Sequence, residues 1–416
     1  MRGLLSILAV CALVAVAALA GCGAGSPSSG RISGHRLTIY ASLPEQGEWR
    51  SQALAVKQGA QLALAQVHGK IGKYKIAYIA LDDSTAQAGT WVPGLIANNA
   101  HEAAADKTTI GYIGEFNPDA SAISIPVLNR ATIPQISPAD GAAGLTAATV
   151  GGFPGEPEKY YPTGARTFAR VVPSDSVEAR AQVRLQLSLG CAKTYVLDDG
   201  SVYGSDLANI FENDADEARL GTGGPQSYTV TPGTSYTALA ATVVASGADC
   251  VFLSAIAESN AATLTTALGA AMPAAKIFAS DGVANDSYLD PAKGGIPFGL
   301  DHRVYITLAP LAHSAYPPAA RVFFAAYKRL YGVAQPYAIF GYAAMSLMLA
   351  AIDRATDHGR RVAERGAVRA AIFATRNRHS VLGTYSIDRN GDTTLRRYGA
   401  YRVDRGRLIF LQTFTG

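Results

Sequence analysis

Seven histidines, at positions 35, 68, 101, 302, 313, 358 and 379, are the first candidates for acid–base or metal chemistry. They are scattered, with no paired spacing that would bring two imidazoles to one ion, so no metal site is expected. The chain has no G-x-S-x-G elbow to present a nucleophile and no P-loop to cradle phosphates. Gly221-Thr222-Gly223-Gly224-Pro225 precedes an apolar run, where a phosphate loop would follow one, and reads as a turn. Asp82-Asp83 offers two adjacent carboxylates for acid–base work or for a cation, but a capped strand end facing solvent explains them more simply. No nucleophile, base and orienting group come together and no cofactor motif occurs. The residues favour binding over catalysis.

The four cysteines divide by position. Cys11 lies in a nearly unbroken apolar run over residues 4–20 that follows Arg2. A positive start, an apolar core and small residues at the end are the parts of a secretory signal. The run ends in Leu19-Ala20-Gly21-Cys22, which resembles a bacterial lipobox and implies removal of residues 1–21 and lipid attachment to Cys22. An uncleaved transmembrane anchor is the competing reading, since the run is nearly long enough to span. Residues 22–35 begin with small and polar side chains and read as a flexible tether. The body is therefore expected to work outside the cytoplasm, on the outer face of the cytoplasmic membrane. There an oxidising environment favours pairing of Cys191 with Cys250, with two buried free thiols as the alternative.

Composition narrows the partners. The 416 residues suffice for two domains with substantial cores, and 16% charged residues with a net charge of +4 leave no basic stripe. Nucleic acid is not an expected partner.

The elements that must position these residues alternate in type. Short apolar runs at 37–41, 75–81, 109–113 and 133–136 read as strands. Helical patterns at 52–67, 91–105 and 120–129 lie between them. The pattern then restarts, with strands at 194–197, 227–230, 251–253 and 276–279 and helices at 203–217, 236–245 and 260–268. Strands separated by helices imply parallel crossovers, hence two α/β units. Helices follow at 319–331, 338–355 and 362–374, and Asn390-Gly391 signals a hairpin between flanking strands. Ligands bind at the carboxyl ends of strands in such sheets and between domains. The loops at 42–51, 115–121, 137–141, 198–203, 255–259 and 280–283 are the candidate site.

The order of motifs resembles the type I periplasmic binding proteins, specifically the Leu/Ile/Val-binding family that serves ABC importers. The resemblance runs from about Leu37 to the C-terminus. It rests on Ile113-Gly114-Glu115-Phe116, Ile133-Pro134-Gln135-Ile136-Ser137-Pro138-Ala139 and Phe168-Ala169-Arg170-Val171-Val172-Pro173. It continues through Asp199 to Tyr203-Gly204, Ser280-Asp281-Gly282-Val283 and Ile387-Asp388-Arg389-Asn390-Gly391-Asp392. The family implies two lobes, each a parallel-sheet Rossmann-like α/β domain, joined by three hinge crossovers. Lobe one would hold 36–170 plus 307–383, and lobe two 171–306 plus 384–416. In that topology the Cys191 and Cys250 strands are neighbours, which strengthens the disulfide reading.

The resemblance also implies a function: a lipid-anchored receptor that traps a small polar metabolite, amino-acid-like or related, and delivers it to an ABC permease. A sensor of the same fold that signals to a membrane partner is the alternative. Carried over residue by residue, the hydroxyls that hold a ligand carboxylate in amino-acid-binding members fall on Pro118 and Gly141, which have none. Asn117, Ala139 and Asp140 stand beside them. The acid for a ligand ammonium falls on Asp281, and the aromatic positions on Tyr203 and, with a departure, Ile256. Tyr203 otherwise packs a strand-to-helix turn, and Asp281 otherwise caps a helix. Trp49 lines the cleft mouth or sits on the surface. With the hydroxyl clamp missing, an ordinary α-amino acid is a doubtful ligand. The segment 151–162, rich in Pro and Gly, reads as a long loop that is a lip, a permease contact or an inert excursion.

Overall fold

Strand β1 (Arg36–Leu43) is buried at every position after Arg36, as a central strand covered on both faces must be. The computed structural model describes residues 30–416. Around β1 assemble β2 (Lys70–Ile71), β3 (Tyr74–Asp82), β4 (Thr109–Ile113), β5 (Gln135–Ser137) and β6 (Phe168–Arg170), in the order β2-β3-β1-β4-β5-β6. All pairings but the short β2–β3 hairpin are parallel. Three of the crossovers run through a helix, α1 (Arg50–Gln66), α2 (Pro93–Ala105) and α3 (Pro118–Arg130), and the step from β5 to β6 runs through the long segment 138–167 with two short 3-10 turns.

The chain then builds a second sheet from β7 (Lys193–Asp198), β8 (Gly221–Ser227), β9 (Cys250–Ser254), β10 (Lys276–Ala279) and β11 (Val304–Leu308). Its crossover helices are α4 (Asp175–Ser188), α5 (Val202–Glu217), α6 (Thr237–Ala245), α7 (Ala262–Ala271) and the short α8 (Asp286–Leu289). It returns to the first lobe with α9 (Ala319–Tyr331), α10 (Ala338–Ala355), α11 (Arg365–Phe373) and the small hairpin β12 (Arg378–Ser380) and β13 (Gly383–Tyr385). Finally β14 (Arg397–Asp404) and β15 (Arg407–Thr415) add antiparallel to the second sheet, giving the order β15-β14-β11-β10-β9-β7-β8. This is the two-lobed type I periplasmic binding fold, as the sequence led us to expect.

Helix α10 is the one described helix long and apolar enough to cross a membrane, and 67% of it is buried. It lies so close to α1 that a Cβ on Gly341 would collide with the Val56 backbone, and one on Gly59 with Ala338 O. Close backbone approach makes α10 a core helix of the first lobe. Next to Cys250, Thr194 of β7 is its paired residue, and the Cys191 and Cys250 sulfurs are bonded with Cα atoms 5.9 Å apart.

Several expectations need correction. The strand placed at 227–230 lies earlier, at Gly221–Ser227, over the residues read as a turn. It is an edge strand with mostly exposed side chains, where a proline costs no ladder bond. The apolar character of Tyr228 reflects side-chain burial against Tyr236, 5.8 Å away between ring centroids. The Asn390-Gly391 turn forms, with Asp388 Oδ1 accepting the N–H groups of Asn390, Gly391 and Asp392, but only one bridge, Ile387 to Thr393, flanks it. Its neighbours pair elsewhere, β13 with β12 and β14 with β11 and β15. The terminal hairpin turns instead at Arg405-Gly406, both at positive φ.

Strand β11 runs to Leu308, two residues past the lobe boundary expected at 306/307. The tether expected over 22–35 is also too long. Arg31 bridges Glu364, Ile32 N–H donates to Ala363 O at 2.9 Å, and Ile32 is buried in the core. The signal segment, Cys22 and the rest of the tether to residue 29 lie outside the described residues. The 151–162 loop is packed: Tyr160 and Tyr161 are buried beside Ile125 and Phe168, and Asn209 of α5 donates to Gly151 O at 3.1 Å.

Candidate functional site

The loops at the carboxyl ends of both sheets meet around a cleft of about 390 Å³ of empty space, part of it open to solvent. From the first lobe, Trp49 precedes α1, Phe116, Asn117 and Pro118 lead into α3, Ala139 and Gly141 follow β5, and Tyr337 precedes α10. The second lobe contributes Asp175 at the start of α4, Tyr203 in the first turn of α5, Ile256 after β9, and Asp281 and Gly282 after β10. Parallel sheets place strand ends and helix N-termini together, so both lobes turn their ligand-facing edge inward.

Asp281 is the centre of the polar contacts. Its Oδ1 accepts the Tyr203 hydroxyl at 2.7 Å and its Oδ2 accepts the Tyr337 hydroxyl at 3.3 Å. The second bond crosses the cleft from lobe to lobe. Tyr203 Oη also accepts the Gly282 N–H at 3.2 Å, and Asp281 N–H donates to Glu178 Oε1 at 3.0 Å. Glu178, wholly buried, also accepts the Thr307 hydroxyl at 2.6 Å. The aromatic wall is continuous in the first lobe, with Trp49 and Phe116 ring centroids 5.4 Å apart and Phe116 and Tyr337 5.2 Å apart.

Carboxyl groups dominate the electrostatics. Burial pushes Asp281 up to about 6, and burial followed by the Asp281 charge raises Asp175 and Glu178 well above the usual range. Burial likewise raises Asp119, in the first turn of α3, to about 6 and Glu258, which faces Trp49, to about 7. No lysine, arginine or histidine lines the cleft. Arg170, whose charge acts on Asp175, is buried and spent on Asp140 O (3.2 Å), Ala142 O (2.8 Å), Thr146 Oγ1 (2.8 Å) and the Asp392 carboxylate (2.8 Å).

Of the residues singled out in the sequence, Trp49, Asn117, Pro118, Ala139, Gly141, Tyr203, Ile256 and Asp281 all line this cleft. Asp140 does not. It is buried, its Oδ1 accepts the Ala142 N–H at 3.0 Å, and it shapes the loop against Arg170. Phe116 and Gly282 lie in loops read as the candidate site without being singled out themselves, and Asp175 and Tyr337 lie outside every such loop. Asp175 carries only the local signal of a helix-start acid, and Tyr337 reaches Asp281 from a loop far along the chain. Neither has a sequence pattern that would have found it.

The solvent-facing reading of Asp82-Asp83 holds only for Asp82, which is half-buried and accepts from Glu45, Gln46 and Ser84. Asp83 is 1% exposed and accepts the Ser42 hydroxyl at 3.1 Å. It lies against buried Glu115, which accepts the Tyr112 hydroxyl at 2.8 Å. Burial first, and a neighbouring carboxyl after it, raise Asp83 to about 7 and Glu115 well above its usual value, so charging both is disfavoured. Neither residue lines the cleft. Among the described residues, no three His, Cys, Asp or Glu side chains gather as metal ligands.

A two-lobed fold with its cleft lined from both sides defines a class, the solute-binding receptors. The periplasmic binding protein family model matches residues 38–407, and the chain belongs to that family. Among solved structures it is similar to the leucine-binding protein LivK of Thermotoga maritima, with 20% identity and a TM-score of 0.74 over 91% of this chain and 99% of that one. The branched-chain amino acid binding protein LivJ of Streptococcus pneumoniae, in complex with isoleucine, gives 16%, 0.71, 92% and 100%. A solute-binding protein of an ABC transporter from R. palustris, in complex with benzoate, gives 15%, 0.69, 91% and 96%. Such identities speak for the fold alone. Among curated proteins no relative matches the chain. Members of the family are extracytoplasmic binding proteins that work with ABC transporters, and the family is not one of enzymes.

Proposed function

We propose that this chain is a receptor, anchored by lipid at Cys22 outside the cytoplasmic membrane, that traps a small polar solute between its lobes for an ABC importer permease. The observation that carries the reading is the cleft itself, closed by the Tyr337 hydroxyl of one lobe on Asp281 of the other. A hydrogen bond that bridges the lobes is what a trapping device needs, because a ligand replacing or joining it couples binding to closure. The lobes are 30–170 with 309–385, and 171–308 with 386–416. Trp49, Asn117, Pro118, Ala139, Gly141, Tyr203, Ile256 and Asp281 form the binding surface, with Phe116, Asp175 and Tyr337 added.

A thermal-shift screen against amino acids, amides, sugars, polyamines and small organic acids tests this. A ligand that binds only the folded state at about 100 times its Kd adds ~2.7 kcal/mol of stability. A raised melting point with one chemical class, and loss of uptake of that class in cells lacking the chain, is the expected result. No shift with any class, together with unchanged uptake, would overturn the receptor reading. The lipid at Cys22 is tested separately: a Cys22→Ser variant should leave the detergent phase for the aqueous phase.

A further inference from the structure

We propose that the cleft takes an organic cation without a carboxylate, a primary amine or a methylated ammonium, with Asp175 and Asp281 as its counter-charges and aromatic walls around it. The inference deepens the receptor reading and rests on it.

The position of Asp175 is decisive. A Cβ built on Gly141 would collide with Asp175 Oδ1, so the chain's own carboxylate fills the space that a side chain at position 141 would otherwise occupy. Residue 141 is where the family resemblance puts a hydroxyl for the ligand's carboxylate. Here the charge is inverted. A ligand carboxylate would meet a carboxyl group and no free cation, with Arg170 fully engaged behind the loop. The start of α4 and the first turn of α3, where a helix N-terminus favours an anion, already hold Asp175 and Asp119.

A second observation points to a missing partner. Asp175 lines the cleft, is 1% exposed, and its Oδ2 has no hydrogen-bond donor. Buried carboxylates go without partners only at substantial cost. Both hydroxyls that face Asp281, from Tyr203 and Tyr337, are donors to an anion and oppose the rise that burial imposes on that carboxyl. An ammonium group placed there would satisfy both acids at once.

The walls suit the same ligand. Trp49, Phe116 and Tyr337 from one lobe and Tyr203 from the other line the space. Aromatic faces attract a cation by their quadrupole, most strongly when water is excluded. Pro118 adds an apolar surface with no N–H to donate to an anion.

The test is isothermal titration calorimetry on the purified full-length protein at pH 8 and low salt, with choline, propylamine, leucine and benzoate. Saturable binding of choline or propylamine, and none of leucine or benzoate, is expected; the tighter of the two cations tells methylated from primary ammonium. Asp281→Asn and Asp175→Asn should each weaken that cation about 10- to 100-fold, the range for a charged hydrogen bond. Asp281→Asn, at a half-buried position, decides the matter if Asp175→Asn fails to fold. Leucine or benzoate binding more tightly than both cations would overturn the cation while leaving the receptor intact. Silence with all four compounds would also overturn it, with the broader solute screen deciding the receptor reading independently. Unchanged cation affinity in Asp281→Asn would remove the proposed counter-charge.

Discussion

Asp83 and Glu115 are two buried carboxyls whose joint charging is disfavoured. A carboxyl whose folded pKa lies above its unfolded one takes up a proton on folding. Its contribution to stability is full in acid and fades as pH rises, here from about 4 in the unfolded chain toward about 7 in the fold. Asp83→Asn should therefore stabilise the protein at pH 8, by on the order of 1–3 kcal/mol, and flatten the loss between pH 5 and pH 8 (urea denaturation across pH is the check). At this scale the sequence was readable where a residue's role follows from its place after a strand. Tyr203 and Asp281 stand directly behind β7 and β10 and were found. Asp175 was not, because its role comes from meeting Gly141 across the interface between lobes. Asp83 was misread because burial by Ser42 and Glu115 is a tertiary fact that adjacent carboxylates do not announce.

Helices α9 and α10 fall at the ends their apolar periodicity predicts, whereas α4, with little apolar periodicity, was not read. Long amphipathic or apolar runs leave little choice of period. Strand β8 was missed because edge strands are held by backbone ladders on one side only, and Gly and Pro there disguise the pairing. The Asn-Gly turn was legible as a turn and not as a hairpin, since what β13 and β14 pair with is set by the lobe crossing. Helices α1 and α10 approach closely, and Gly59 and Gly341 let the two backbones meet. Gly341→Val would drive a branched side chain into the Val56 backbone. It should cost about 1–3 kcal/mol or more, read as a lowered melting temperature.

The whole molecule is knit where the chain passes between lobes. Arg170 ends β6 at the first crossing, and its guanidinium meets Asp392 of the turn that follows the last one. That turn also accepts the Arg170 N–H through Gly391 O at 2.9 Å. Asp392→Ala would strand a buried guanidinium without its counter-charge, a change that should cost about 3–5 kcal/mol in chemical denaturation. The two-lobe plan was legible as a restart of the strand–helix pattern. Its seams were readable only to within a few residues, because sheet membership at Leu308 depends on pairing with β14. One seam has a mechanical meaning. Residues 30–32 are clipped to the segment before α11, on the first lobe. In the proposed anchored form, the chain from Cys22 to Gly30 reaches at most about 29 Å at ~3.6 Å per residue. A reach that short would confine an anchored receptor to a film roughly one molecule deep over the bilayer. In that proposed form it would meet a permease by sliding in two dimensions, with the first lobe, which carries the clip, nearer the lipid.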